Sequence, residues 1–323
     1  MEYPVLFEEH IRDVIGRYKT QREKIKNAAS FLFLTDVHIH LNGRYSVPLM
    51  MEIGKHTDVK TVLCGGDFCW AWGSKAECIM QLEDAFNYMD PLKETMSLYI
   101  ARGNHDATVR NSLGDPRGYT MPFDQLYPYF AKHNSPASGK VEGRLYFYAD
   151  DPASKVRYVI VDNTEHHGAE DKGWGVEVEM TDIQLRWLAD EALQLPGDDW
   201  AVVVMGHISC VPQIPSYNEG LNALAQILTA FSNKSTCRYG DFSNRPGTLV
   251  MYLCGHNHKD STAIVDNVLH ISTGCDSYCK DDVYPRDIGS INNVLFDLFL
   301  VDKDRRTVQV FRVGAGESRE MNY

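Results

Sequence analysis

The stretch Ser97-Leu98-Tyr99-Ile100-Ala101-Arg102-Gly103-Asn104-His105-Asp106 changes character halfway. An apolar, aromatic run that reads as a strand ends on a glycine, and the glycine is followed by an amide, an imidazole and a carboxylate. The same plan recurs along the chain. Asp36-Val37-His38 follows Phe31–Thr35, Gly66-Asp67 follows Thr61–Cys64, Gly206-His207 follows Ala201–Met205, and Gly255-His256-Asn257-His258 follows Leu249–Cys254. In open α/β sheets the carboxyl ends of the strands face the ligand crevice, so these strand ends are expected to converge on one site. Further strands are expected at Arg144–Tyr148, Arg157–Asp162, Val268–Ser272, Val294–Val301 and Thr307–Val313. Helices are expected at Glu8–Ala29, Val47–Thr57 and Leu221–Phe231, and after the capping patterns Ser74-x-x-Glu77 and Thr181-x-x-Gln184. Strand and helix alternate in the first half and strand follows strand near the end, which predicts mixed rather than wholly parallel sheets.

The 323 residues are 44% hydrophobic and 24% charged, the balance of a globular chain able to bury an ample core. The reading places an N-terminal helical extension at residues 1–30 and a single domain at 31–323. Insertion loops rich in Pro, Gly, Asn and Tyr are expected at about 107–143 and 211–246. The net charge of −12 disfavours a surface built to hold nucleic acid. The apolar run Val294 to Val301 is broken by Asp297, so no membrane span is expected. Met1-Glu2-Tyr3-Pro4 does not open a basic segment followed by an apolar one, and the eight cysteines lack paired spacing, so reduced thiols and a cytoplasmic location are expected. Cys275 and Cys279 carry only a weak metal or disulfide signal.

Imidazole, carboxylate and amide groups without thiolate suit Mn, Fe or Zn. Residues two apart on an extended strand end project to one side, so Asp36 with His38, and His256 with His258, can each offer two groups to one ion. Asp67 could bridge two ions. Glycines at 65, 66, 103, 206 and 255 permit turns that other residues resist. Each block alone is short enough to be an ordinary polar turn, and only their combination is specific. His10, His56, His133, His166, His167 and His270 read first as core or surface histidines, with His40 and the pair His166-His167 the next candidates to reach the site. Arg102, Arg110 and Arg117 read first as solvated charges.

The series D-x-H, GD, GNHD, GH and GH-x-H, in this order, resembles the signature of the calcineurin-like metallophosphoesterase superfamily from about Phe31 to about Val313. The resemblance implies an α/β fold, a four-layer α/β/β/α sandwich of two mixed sheets with a dinuclear metal site at the strand ends. It implies Asp36, His38, Asp67 and His258 on a first ion, and Asp67, Asn104, His207 and His256 on a second, the two being divalent or mixed-valence Mn, Fe or Zn. It also implies that His105 faces the substrate phosphate and assists the leaving oxygen, with Asp106 orienting it. The expected reaction is hydrolysis of a small-molecule phosphomonoester or phosphodiester, a metal-bridged hydroxide attacking phosphorus. Rival readings are a nuclease, which would favour basic surfaces, a non-catalytic scaffold of the same fold, which would typically have lost ligands, and a structural zinc protein, which would use four closed ligands.

The chain departs from the family after the GD block, where Phe68-Cys69-Trp70-Ala71-Trp72 stands. Trp70 and Trp72 are candidate substrate-binding residues beside Asn104, able to stack on an aromatic or nucleotide-like leaving group, unless they pack beneath the next helix. Tyr119, Phe123, Tyr127 and Tyr129, in the segment after Asp106, are expected to close over the same mouth.

Overall fold

The computed structural model describes residues 3–39, 44–70, 74–106, 108–109, 119–165, 179–211, 219–277, 284–287 and 289–323. Its layers follow from alternation along the strands. On β1 (Ala28–Leu34), Phe31 and Phe33 enter one core while Leu32 and Leu34 enter another, because successive strand side chains project to opposite faces. On β9 (Ala201–Met205), Val203 and Met205 separate in the same way from Val202 and Val204. A strand that is apolar on both faces must be covered on both, and these sequences therefore require sheets buried between layers.

The six-stranded sheet has the order β17 (Arg319–Asn322), β16 (Thr307–Gly314), β15 (Leu295–Asp302), β1, β2 (Thr61–Cys64), β3 (Ser97–Ile100). Strands β1, β2 and β3 are parallel, and β15 runs antiparallel to β1. The seven-stranded sheet has the order β13 (Ser261–Val265), β14 (Val268–Ser272), β12 (Thr248–Cys254), β9, β8 (Val156–Ile160), β7 (Phe147–Asp151), β6 (Gly139–Lys140). It is parallel from β14 to β8 and antiparallel at both edges. Two short ribbons, β4 (Thr108–Val109) with β5 (Tyr119–Thr120) and β10 (Thr236–Cys237) with β11 (Gly240–Asp241), are separate from these sheets, and one core fills the space between the two large sheets. In it Phe31 stacks on Phe299 at 4.8 Å and meets Tyr158 of the facing sheet edge-on at 5.6 Å.

Helices α1 (Leu6–Arg22), α2 (Ser46–His56), α3 (Lys75–Met89) and α4 (Phe123–His133) share a second core with the outer face of the six-stranded sheet. Helix α5 (Asp182–Trp187), continued by a π-helical turn at Leu188–Ala192, and α6 (Glu219–Ser232) share a third with the seven-stranded sheet. The result is the α/β/β/α sandwich expected. Ser74 and Glu77 form both halves of a capping box on α3, and Thr181 caps α5 by accepting from Gln184 N. Among the described residues no helix is long and apolar enough to cross a membrane.

The structure corrects the sequence reading in four places, one being the strand expected at Arg144–Tyr148, which runs instead over Phe147–Asp151. The first helix ends at Arg22 rather than Ala29, because Ala28 and Ala29 pair with Asp302 and Val301 at the start of β1. The stretch 107–143, read as an irregular loop, carries α4. Pro122 and Pro128 punctuate it, yet Leu126 and Phe130, four apart, seat it in the core. Strands β13 and β17 escape the sequence reading, because as edge strands they leave much of their surface to solvent and carry at most the short apolar stretch Ala263–Val265.

Removing the ring that stacks between the sheets should be costly. Phe31→Ala is expected to lower unfolding free energy by about 3–5 kcal/mol in urea titration. Ile264→Ser, at a side chain 59% exposed on edge strand β13, is expected to change it by no more than about 0.5 kcal/mol. Similar losses from the two would show that the inter-sheet core is not the stabilising layer.

Candidate metal centre

The loops after β1, β2, β3, β9 and β12 meet at one end of the sandwich, two sheets contributing to one site. Ligand atoms of Asp36, His38, Asp67 and His258 all lie within 4.8 Å of one another, and so do those of Asp67, His207 and His256. Asp67 is common to both groups. Asn104 joins the second, its Oδ1 accepting from His207 Nε2 at 3.0 Å and from His256 Nδ1 at 2.9 Å. The residues expected from sequence as ligands are therefore together, in two clusters that share one carboxylate.

Their backbone is unusual. Asp36, His38, Asp67, His256 and His258 have φ of 55°, 40°, 56°, 70° and 56°. For residues with a Cβ this left-handed region costs about 1–2 kcal/mol each and survives only where the surroundings over-determine it. The convergence of Asp36 with His38 thus comes from a curled turn beyond the end of β1, not from the two-residue period of an extended strand. Gly66, with φ 92°, makes the turn before Asp67, whereas a Cβ on Gly103 would overlap Asp67 and one on Gly255 would overlap Thr35 and Asp36.

Asp106 contributes to this over-determination. Its Oδ2 accepts from Asp67 N at 3.0 Å and Gly103 N at 2.8 Å, and its Oδ1 from Phe68 N at 2.6 Å and Cys69 N at 3.2 Å. The carboxylate thus faces the backbone of the Asp67 turn rather than the ring of His105. Orientation of that ring, expected from Asp106, falls instead to the Trp70 carbonyl, which accepts from His105 Nδ1 at 3.3 Å. Two ligand imidazoles are fixed in the same way: His38 Nδ1 donates to Cys69 O at 2.8 Å and His207 Nδ1 to Gly65 O at 2.7 Å.

Electrostatics suits a cation. Burial pushes the Asp67 carboxyl up, but the charges of His207 and His105 and the hydrogen bond from His207 outweigh it and hold Asp67 well below the usual range. Asp36 is lowered as well, burial being outweighed by His258 and His207. Burial, offset in part by the nearby carboxylates, lowers His38 and His256 to about 4, which leaves both imidazoles neutral and able to ligate. His207 goes the other way: burial lowers it, Asp67 raises it more, and it reaches about 9. Asp36 Oδ1 is buried without a well-aligned hydrogen bond, although it lies 3.1 Å from His258 Nε2. Ionised carboxylates, the neutral imidazoles of His38 and His256, and a buried carboxylate oxygen without a well-aligned hydrogen bond form a donor set that fits metal.

Trp70 is half-buried beside the clusters, its ring centroid 5.2 Å from His38 and 6.5 Å from His105. Trp72, His40, His166, His167, Arg110, Arg117 and Cys279 lie outside the described residues. Phe123, Tyr127 and Tyr129, on α4, are partly buried against the first helical core, and the side chain of Tyr119 lies outside the described residues. Arg102, read as a solvated charge, is buried and ion-paired with Asp162 at 2.9 Å. Cys275 comes within reach of His38 and His258 and donates to Asp36 O at 3.1 Å. Asn163, not singled out in the sequence, accepts from His207 N and Ile208 N, both at 3.2 Å. Its signal was a further strand end closed by Asp162-Asn163.

The model of the family described as calcineurin-like phosphoesterase matches residues 29–260, and the chain belongs to that family. Among solved structures, GAP50, the anchor in the inner membrane complex of Plasmodium, is 12% identical, with 92% of this chain and 89% of that chain covered at a TM-score of 0.50. A single mutant of Vps29 from Entamoeba histolytica is 10% identical over 91% and 99% of the two chains, TM-score 0.39. Phosphopantetheinyl hydrolase from Mycobacterium tuberculosis is 13% identical over 76% and 89%, TM-score 0.38. No curated protein matches.

In the metal-free chain, Asp67 raises His207 above its unfolded value. The pair should therefore contribute stability that is fully present below about pH 6.5 and is lost as pH rises through about 9. An NMR titration of the imidazole should find the raised value in chelator-treated protein and a return toward or below the ordinary value in Asp67→Asn. An ordinary value in both would remove this pairing.

Proposed function

We propose that the chain hydrolyses a phosphomonoester or phosphodiester at a dinuclear centre, with Asp36, His38, Asp67 and His258 holding one ion and Asp67, Asn104, His207 and His256 the other. The observation that carries this is the pair of clusters sharing Asp67, with His105 beside them but in neither. The donor types suit Mn, Fe or Zn. We take residues 31–323 as one catalytic domain and residues 1–30 as an extension that covers it, since α1 buries Phe7, Ile11, Val14 and Tyr18 in the core beneath the six-stranded sheet.

Bound ions would supply a nucleophile from water at neutral pH and neutralise charge on the phosphoryl group. The protein's part is placement. Asp106 and the left-handed turns hold Asp67 where both clusters need it. The Trp70 carbonyl can only accept, so it takes the proton of His105 Nδ1, and Nε2 gives a proton or hydrogen bond to the departing oxygen when the ring carries its second proton. Trp70 places an indole beside that histidine, which supports an aromatic or nucleotide-like leaving group.

Metal analysis of purified protein is expected to find two ions per chain. Asp67→Ala should lose most of the metal and all phosphoesterase activity while remaining folded, and full stoichiometry in that variant would remove the bridge. His105→Ala should keep both ions while kcat falls on the order of 10²- to 10⁴-fold, least for leaving groups that need no protonation. Equal losses on alkyl and nitrophenyl esters would rule out proton donation.

Trp70→Ala separates specificity from chemistry. It is expected to raise KM for an ester of an aromatic alcohol or nucleoside and to leave hydrolysis of a minimal phosphate ester nearly unchanged. If both substrates suffer alike, the indole is packing and not a substrate contact.

A further inference from the structure

The turn that carries His256 and His258 ends at Asp260, and Asp260 is gripped from the opposite sheet. Arg312, on β16, donates from Nη1 to Asp260 Oδ2 at 2.9 Å and from Nη2 to Asp260 Oδ1 at 2.8 Å. These are the two parallel bonds that a planar guanidinium makes with a carboxylate. The other donors of Arg312 are also taken. Nε donates to Asp297 Oδ1 at 2.7 Å, Nη1 to Ala315 O at 2.7 Å, and Nη2 to Asp297 Oδ2 at 3.2 Å. Arg319, on β17, lies 3.2 Å from Asp260 Oδ1 and donates to Asp297 Oδ2 at 2.8 Å. Two cations and two carboxylates close a neutral cluster in which the Arg312 side chain is 1% exposed and that of Asp297 0%.

Taking so many charges out of water is costly, and well-packed apolar groups would stabilise the junction at least as well. A positional requirement accounts for the cluster. Asp260 Oδ1 also accepts from Gly274 N at 2.9 Å. The chain beyond Gly274 then runs along the Asp36–His38 turn: Asp276 N donates to Thr35 O at 3.0 Å, and Cys275 Sγ and Ser277 N donate to Asp36 O at 3.1 and 3.3 Å. One carboxylate is thereby joined on one side to the turn bearing His258 and on the other to the segment supporting Asp36 and His38. These are ligands of the first cluster. Of the second, only His256 stands on the clamped turn, whereas Asp67, Asn104 and His207 stand on loops after β2, β3 and β9.

We propose that the Arg312–Asp260 ion pair is a positioning clamp for the first ion, holding Asp36, His38 and His258 in ligating register across the two sheets. It rests on the dinuclear reading above. Neither residue touches a reacting atom; both act through the ligand turns.

The test uses the full chain as wild type, Asp260→Asn and Arg312→Lys, each stripped with chelator and titrated with Mn(II) by calorimetry. Electron paramagnetic resonance then reports whether the bound ions are paired or single. Asp260→Asn keeps the side-chain shape and loses the charge; Arg312→Lys keeps the charge and loses the two-bond fork. Both variants are expected to bind one ion about 10- to 100-fold more weakly, with the other weakened much less and with single-ion signals where wild type shows a coupled pair. Equal weakening of both ions, or unchanged affinities in a folded variant, overturns the clamp. So does a lower unfolding midpoint in chelator that leaves the two affinities unseparated. If Arg312→Lys does not fold, the isosteric Asp260→Asn decides the question on the same readings. A wild-type chain that binds only one ion would overturn the dinuclear reading and the clamp with it, whereas a two-ion wild type with unaffected variants would overturn the clamp alone.

Discussion

Asp36 and Asp67 are buried, ionised and turned toward the same small space, and such an arrangement stands only if positive charge stands with it. Without an ion the centre draws part of that charge from His207, which Asp67 raises. A divalent ion in the second cluster would release that imidazole for ligation, so a side chain that balances the metal-free site is also one that would hold the metal. The rest of the end of the sandwich can be understood as support for two carboxylates that would otherwise repel.

That support is mostly backbone. Asp106 spends both oxygens on amides of the Asp67 turn, the carbonyls of Gly65 and Cys69 aim two imidazoles, and Asn163 holds the amides of His207 and Ile208. Left-handed residues at five ligand positions are tolerated because these bonds pin the turns on every side. The two sheets matter for the same reason. Strands β1, β2 and β3 deliver one set of turns and β9 and β12 the other, and the inter-sheet stack of Phe31, Phe299 and Tyr158 fixes their separation.

The strands named from sequence appear in the fold, some with the same ends and others shifted, because most of them are apolar on both faces and have no alternative to burial. Elements without that property escaped. Helix α4 hides behind two prolines, and β13 and β17 are short, exposed edges that pair only with the strand next to them in the chain. Side-chain roles divided in the same way. The ligand candidates stood out as polar residues at the ends of apolar runs. Arg102, Arg312 and Asp260 did not, since a charged residue looks solvated until its partner arrives from another strand.

What the amino-acid sequence determined by itself is the layer plan and the identity of the groups that meet at the strand ends. Hydrophobic alternation is a local property, and a glycine, asparagine, aspartate or histidine after a strand is visible without knowing where the strand goes. Tertiary structure alone decided how those groups point and what holds them. Asp36 and His38 converge through a curled turn rather than an extended end, Asp106 serves the Asp67 backbone rather than His105, and Arg312 reaches across the sheets to Asp260. Each of these depends on contacts between segments distant in the chain, and one-dimensional pattern carries no record of such distances.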